Sequence, residues 1–216
     1  MYHSRKNSTG GITLIETVVS IALLSFAVAG PMTLAAHSIK ASSAAKNELI
    51  ATHLAEEGLE VVRNLRDNSS AEDNGDRDGP IDGFVWVKAI LGNCKWEPGC
   101  AIDITQHVPN GTSNVWSLNA PGRYNAVIPC PGSCADESVV YFNPDTGLYR
   151  QSENILGSPW VRTQFTRTIF MTGTDDPNAP ERQAHVTAVV TYPGYGGIRR
   201  TIRVTQDIYN WFPYLP

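Results

Sequence analysis

The chain is short of positive charge and short of any charge at all in one long stretch. It also lacks the short motifs that announce an enzyme. Lys and Arg number 17 against 21 Asp and Glu, a formal net charge of -4. That balance gives no support to nucleic-acid binding driven by overall charge. There is no G-x-S-x-G and no H-E-x-x-H, and the five histidines (His3, His37, His53, His107, His185) are scattered. Nucleophile-elbow hydrolysis and zincin chemistry are therefore without a sequence basis. Gly194, Gly196 and Gly197 stand before a strand pattern, whereas a phosphate cradle wants a following helix. No internal repeat and no low-complexity tract is visible. The expectation is a protein that is not an enzyme.

What is present begins with an apolar run. From Ile12 to Ala36 the sole formal charge is Glu16, and a bilayer span needs about 20 apolar residues. Arg5 and Lys6 precede the run, which predicts that end in the cytoplasm and the remainder outside. A cleaved secretory signal has a shorter apolar core with small residues after it; here Gly10 and Gly11 come before it. Helical spacing then continues, with Ile50, Leu54, Val61 and Leu65 on one stripe beside Ala51, Ala55, Leu59 and Val62. Glu60 with Arg63, and Arg63 with Asp67, stand at helix-pair spacing. One helix is predicted over 12–67, loosened at Gly30 and Pro31 and ended by "DNSSAEDNGDRDGP".

After residue 67 the period changes. "GFVWVKAIL" reads as a strand, "SVVYFNPDTGLYRQ" as a hairpin and "PWVRTQFTRTIFMTG" as a strand ending at Gly173. "RQAHVTAVVTYPGYGGIRRTIRVTQDIYNW" reads as a second hairpin turning at "PGYGG". The predicted fold class is α+β: a long N-terminal helix, transmembrane then amphipathic, packed on an antiparallel sheet. Leu54, Val61, Val62 and Leu65 are the expected helix side of the core. The expected division is a leader over 1–11, a helix over 12–67 whose transmembrane half is about 12–39, and a β-rich head over 68–216.

Cys94, Cys100, Cys130 and Cys134 all follow the apolar run. An even count in an exported domain predicts disulfides, and four cysteines allow three pairings. The local pairs would each close a Pro/Gly loop, "CKWEPGC" and "CPGSC"; free thiols and a four-thiolate zinc site are the rivals. In "EDNGDRDGPIDG", residues Asn74, Asp76 and Asp78 fit half of a calcium loop and Asp82 could add an oxygen, though Val85 stands where the loop wants Glu. Calcium is thus the one candidate cofactor, against a plain solvated acidic loop. Arg199, Arg200 and Arg203 with Tyr192, Tyr195, Tyr209 and Trp211 suggest nucleic acid as an alternative partner, although cross-strand pairing accounts for the same residues.

A lone carboxylate at membrane depth costs several kcal/mol unless partnered. If the chain were cut between Gly11 and Ile12, the new amine would sit one helical turn from Glu16. At these residues, "GG-ITLIE" followed by an apolar run, the sequence resembles type IV pilins, their minor pilins, and the pseudopilins of secretion and competence systems. "ATHLAEEGLEVVRNLRDN" is similar to the lower helix of the minor members. Ile12 departs from the usual Phe after the cut. The resemblance implies cleavage after Gly11 by a prepilin peptidase on the cytoplasmic face, N-methylation of Ile12, and a role for Glu16 in assembly. It implies as partners the peptidase, other pilin or pseudopilin subunits, inner-membrane assembly machinery and, before assembly, membrane lipid. It implies a single-pass cytoplasmic-membrane precursor that passes into a periplasmic or cell-surface filament, most like a minor subunit. The alternative is a membrane-anchored extracytoplasmic binding module that holds calcium or a surface ligand.

Overall fold

A computed structural model describes residue 11 and residues 13–72, 94, 97–103, 127–130, 132–151, 159–173 and 183–209. Among these are one α-helix, α1 (Leu14–Glu72), and seven strands: β1 (Cys100–Ile102), β2 (Val127–Pro129), β3 (Val139–Phe142), β4 (Tyr149–Arg150), β5 (Val161–Gly173), β6 (Gln183–Pro193) and β7 (Arg199–Tyr209). The architecture is the expected α+β. Every pairing is antiparallel. The long central strand β5 takes β6 and then β7 along one edge, while β1 and β3 follow one another along its other edge. β2 lies beyond β1, and β4 beyond β3.

The chain forms two compact units, Met1–Ala44 and Ala45–Pro216, so the dividing point falls inside α1. As far as Ala36, α1 is apolar on every side apart from Glu16, and Leu14, Ile15, Val18, Val19, Leu23 and Phe26 are all exposed. A helix apolar all round suits lipid or other helices, and this one is long and apolar enough to cross a membrane. Three of its hydroxyls bond to their own backbone: Thr17 Oγ1 donates to Leu14 O (2.7 Å), Ser25 Oγ to Ile21 O (2.8 Å) and Thr33 Oγ1 to Gly30 O (2.8 Å). That removes the cost of bare donors in hydrocarbon. The helix runs through Pro31 without a break. It also outlasts the expected end at Asp67, continuing to Glu72, which is within the drift expected of helix termini.

From residue 45 onward α1 belongs with the sheet. Ala51, Leu54, Ala55, Leu59, Val61, Val62 and Leu65 are buried, forming one core with Ile102, Val140, Phe165, Ile169, Met171, Val186, Val190 and Ile208. The four residues expected on the helix side of the core are among them. Alternation does the rest: β6 buries every second residue from Ala184 to Tyr192, the half-wet pattern of an antiparallel sheet. Gly58 explains itself here, since a Cβ at that position would come 2.8 Å from Ile169 Cδ1. Asn47 Nδ2 donates to Pro193 O (3.0 Å) and Arg66 Nη1 to Tyr209 O (3.2 Å), fastening α1 at both ends of the buried stretch. Glu60 and Arg63 pair as expected, whereas Asp67 pairs with Arg66 (2.8 Å) and not with Arg63. "GFVWVKAIL" lies outside the described residues.

The turns follow their residues. Between β3 and β4, Asn143 Oδ1 accepts from the backbone N–H of Asp145 (2.9 Å) and Thr146 (3.3 Å), the Asx turn that Asn supports. β6 and β7 join through Gly194 and a short 3-10 turn, Tyr195–Gly197.

Candidate functional site

Gly11 is exposed, and nothing within 4 Å crowds the position of a Cβ there. Ile12 lies outside the described residues. α1 begins at Leu14, which places Glu16 in its first turn. Thr13 is the residue before the helix. Its carbonyl accepts from Glu16 N (3.0 Å) and its Oγ1 lies 3.4 Å from the same N–H. Thr13-Leu14-Ile15-Glu16 thus has the form of a capping box, with Glu at the third helical position. A carboxylate there also faces the positive end of the helix dipole. Sequence reading missed this local reason for Glu16, although the T-x-x-E spacing was its signal.

The cysteines form Cys94–Cys100 and Cys130–Cys134, and no cysteine is free. The local pairing is the one of the three that occurs, and it leaves no thiolate for zinc. Both bridges stand at one end of the β1–β2 pair: Cys100 is opposite Pro129, and Cys130 follows it. Gly99 in the first loop takes φ +88°, and a Cβ there would lie 2.9 Å from Ile169 O; only glycine accepts both.

Asn74, Asp76, Asp78 and Asp82 lie outside the described residues, and so does His107. Among the described residues no group of three His, Cys, Asp or Glu converges as a metal site. His53 pairs with Glu56 (3.4 Å) on α1. His185 Nδ1 bonds to Asp207 Oδ1 across β6 and β7. Thr172 is its neighbour on the other side, but among the described residues no hydrogen bond joins Thr172 to His185. The basic and aromatic residues of the last hairpin divide between faces: Tyr192 is buried with Arg200 opposite it, while Arg199 and Arg203 take the outer face. Trp211 lies outside the described residues.

The strongest side-chain constellation is one that sequence reading did not single out. Arg167 is 1% exposed on the inner face of β5. Its Nε donates to Gln151 Oε1 (2.7 Å), Nη1 to Leu54 O (3.0 Å) and Nη2 to Ile102 O (2.8 Å). Glu57 Oε1 lies 3.4 Å from Nη1. Gln151 Nε2 donates in turn to the carbonyls of Arg167 (2.7 Å) and Ser138 (3.1 Å). Burial pushes the guanidinium pKa down; the charge and hydrogen bond of Glu57, and the charge of Asp103, push it back up. One side chain thereby ties α1 and β1 to β5, with every guanidinium nitrogen occupied, the condition under which a buried charge is tolerable. Its chemistry is structural.

Comparison of the chain with protein-family models, with curated proteins and with solved structures finds no match.

Proposed function

We propose that this protein is a non-catalytic structural subunit of the type IV pilin and pseudopilin kind, most like a minor subunit. In this reading a prepilin peptidase cuts after Gly11 and methylates Ile12. The head lies outside the cytoplasm, and the apolar half of α1 passes from the membrane into a pilus, secretion or DNA-uptake filament. The observation that supports it best is the joining of three things in one helix. A Gly11–Glu16 motif stands at its start, an apolar surface on every side follows, and the same helix supplies the core of an antiparallel sheet domain. Glu16 then neutralises the Ile12 amine, its own or that of a neighbouring copy, and so fixes axial register.

The capping geometry favours a second reading, in which Glu16 only starts the helix of an anchored, extracytoplasmic module that holds calcium or a surface ligand. Glu16→Gln separates the two, because Gln keeps the capping-box form and loses the charge. The chain is co-expressed with a prepilin peptidase, and its intact mass and assembly are measured. A subunit beginning at methylated Ile12, a Gly11→Ala variant left whole, and a Glu16→Gln variant cut but unassembled support the filament subunit. An uncut chain, or a Glu16→Gln variant that behaves as the parent, supports the anchored module, and calcium titration of the full chain then follows.

A further inference from the structure

The outer face of the sheet, turned away from the core, has a composition unlike the rest of the molecule. Register places Arg150, Tyr141 and Arg162 side by side across β4, β3 and β5. On β7, Arg199 and Arg203 share that outer face, and Arg199 Nη2 reaches over to donate to Gln164 O on β5 (3.4 Å). Arg162, Arg199 and Arg203 are exposed, and none of them has an ion-pair partner among the described residues. The only carboxylate among the described strand residues of this face is Asp207, which is bonded to His185. A chain of net charge -4 has therefore gathered three exposed guanidiniums on one surface, with Arg150 beside them, partly buried against Trp160.

Between the arginines the face is hydroxyl-rich. Thr166, Thr191 and Thr201 form one cross-strand row, and Thr187 with Thr205 part of another. Thr191 and Thr201 hydroxyls lie 3.3 Å apart, and Thr187 and Thr205 hydroxyls 3.0 Å, each keeping capacity to bond outward. Arg150 and Arg162, two strands apart, are separated by roughly 10 Å, and Arg199 and Arg203, four residues apart, by roughly 13 Å. Aromatic surface is scarce. Trp160 is already covered by Arg150, 4.3 Å from its centroid, Phe170 has a contact of its own, Tyr209 is exposed at the far end of β7 with its hydroxyl accepting from Gln183 Nε2 (3.2 Å), and Tyr141 alone stands between two arginines. A single-stranded nucleic acid wants successive stacking platforms; a sugar polymer wants hydroxyl partners, spaced forks for its carboxylates and one ring for a sugar face.

We propose that this outer face binds a linear acidic polysaccharide. Arg162, Arg199 and Arg203 pair with its carboxylates, the threonine rows bond to its hydroxyls, and Tyr141 lies against a sugar ring. The test uses the full chain in a non-ionic detergent, with polygalacturonate as the probe, dextran as its uncharged counterpart and oligothymidylate as a nucleic acid. Retardation by polygalacturonate and not by dextran, weakening as salt rises to about 0.2 M, is expected. The triple variant Arg162→Gln, Arg199→Gln, Arg203→Gln should bind at least about tenfold more weakly, having lost three charge-assisted contacts, while Arg63→Gln, on α1, binds as the parent. Should the triple variant lose its native circular dichroism, Arg162→Gln and Arg203→Gln taken singly carry the same test, each with a severalfold loss. No retardation of the parent chain overturns the proposal, and so does equal binding by parent and face variants. Tighter binding to oligothymidylate than to polygalacturonate overturns it in favour of nucleic acid.

Discussion

The two halves of α1 are built from the same apolar residue types and do opposite things with them. Before residue 45, leucine, isoleucine, valine and phenylalanine point in every direction, and among the described residues none of them is buried by the chain itself. After residue 45 they are gathered on one stripe, and that stripe is the floor of a core. The difference lies in the charged residues between them. Lys46, Glu48, Glu56, Glu60 and Arg63 leave one side wet and so dictate which side is dry. Composition makes a helix apolar; periodicity gives it a direction.

The largest effect that would test this contrast is at Arg167. Arg167→Ala strands Leu54 O, Ile102 O and Gln151 without their donors and should cost about 3–5 kcal/mol in denaturant unfolding of the detergent-solubilised chain. A loss under about 1 kcal/mol would mean the network is dispensable. Next comes a pair of matched truncations. Leu54→Ala should cost about 2–5 kcal/mol, while Leu24→Ala should leave head stability within about 0.5 kcal/mol; equal effects would erase the distinction between the halves. Reduction of the two bridges should lower head stability by about 2 kcal/mol each, the value for short loops. Helicity contributed by residues before 45 should not change, as circular dichroism in detergent would show. Among glycines, Gly30→Ala meets nothing within 4 Å and should gain up to about 1 kcal/mol of helix stability. Gly58→Leu, driven against Ile169, should lose about 1–3 kcal/mol. The smallest effect concerns Tyr149, whose phenol pKa is raised by burial. Its folded form holds the proton longer than the unfolded chain, so stability falls as pH rises past about 10. Tyr149→Phe should flatten that alkaline limb in a pH series of unfolding curves.

Much of this architecture was legible before any coordinates. Strand β5 ends at Gly173 as read, the last hairpin turns where "PGYGG" predicts, and the helix stripe is the one periodicity marks. These features are local, set by side-chain period and turn chemistry. The cysteine pairing was open because four cysteines permit three connectivities and spacing alone does not choose among them; each bridge closes its own loop. Arg167 escaped for a related reason. Parity placed it between Phe165 and Ile169 on the buried face, but its acceptors come from residues 54, 102 and 151, far away in sequence. The T-x-x-E cap at Thr13 was short-range and readable, yet it was hidden by the more conspicuous question of an acid in an apolar run. The arginines of the outer face come from three strands, β4, β5 and β7, and only register shows that they share a surface.

The fastening of α1 to the sheet has a mechanical consequence. Its polar ties sit at Asn47, at Leu54 and Glu57 through Arg167, and at Arg66, a spread of roughly 28 Å along the axis. A pull along that axis strains all of them together, in shear, along with the whole apolar stripe. A pull across it would peel them one after another from an end. The same bonds therefore make a joint that is strong lengthwise and weak sideways, and a load carried down the helix meets it in the strong direction.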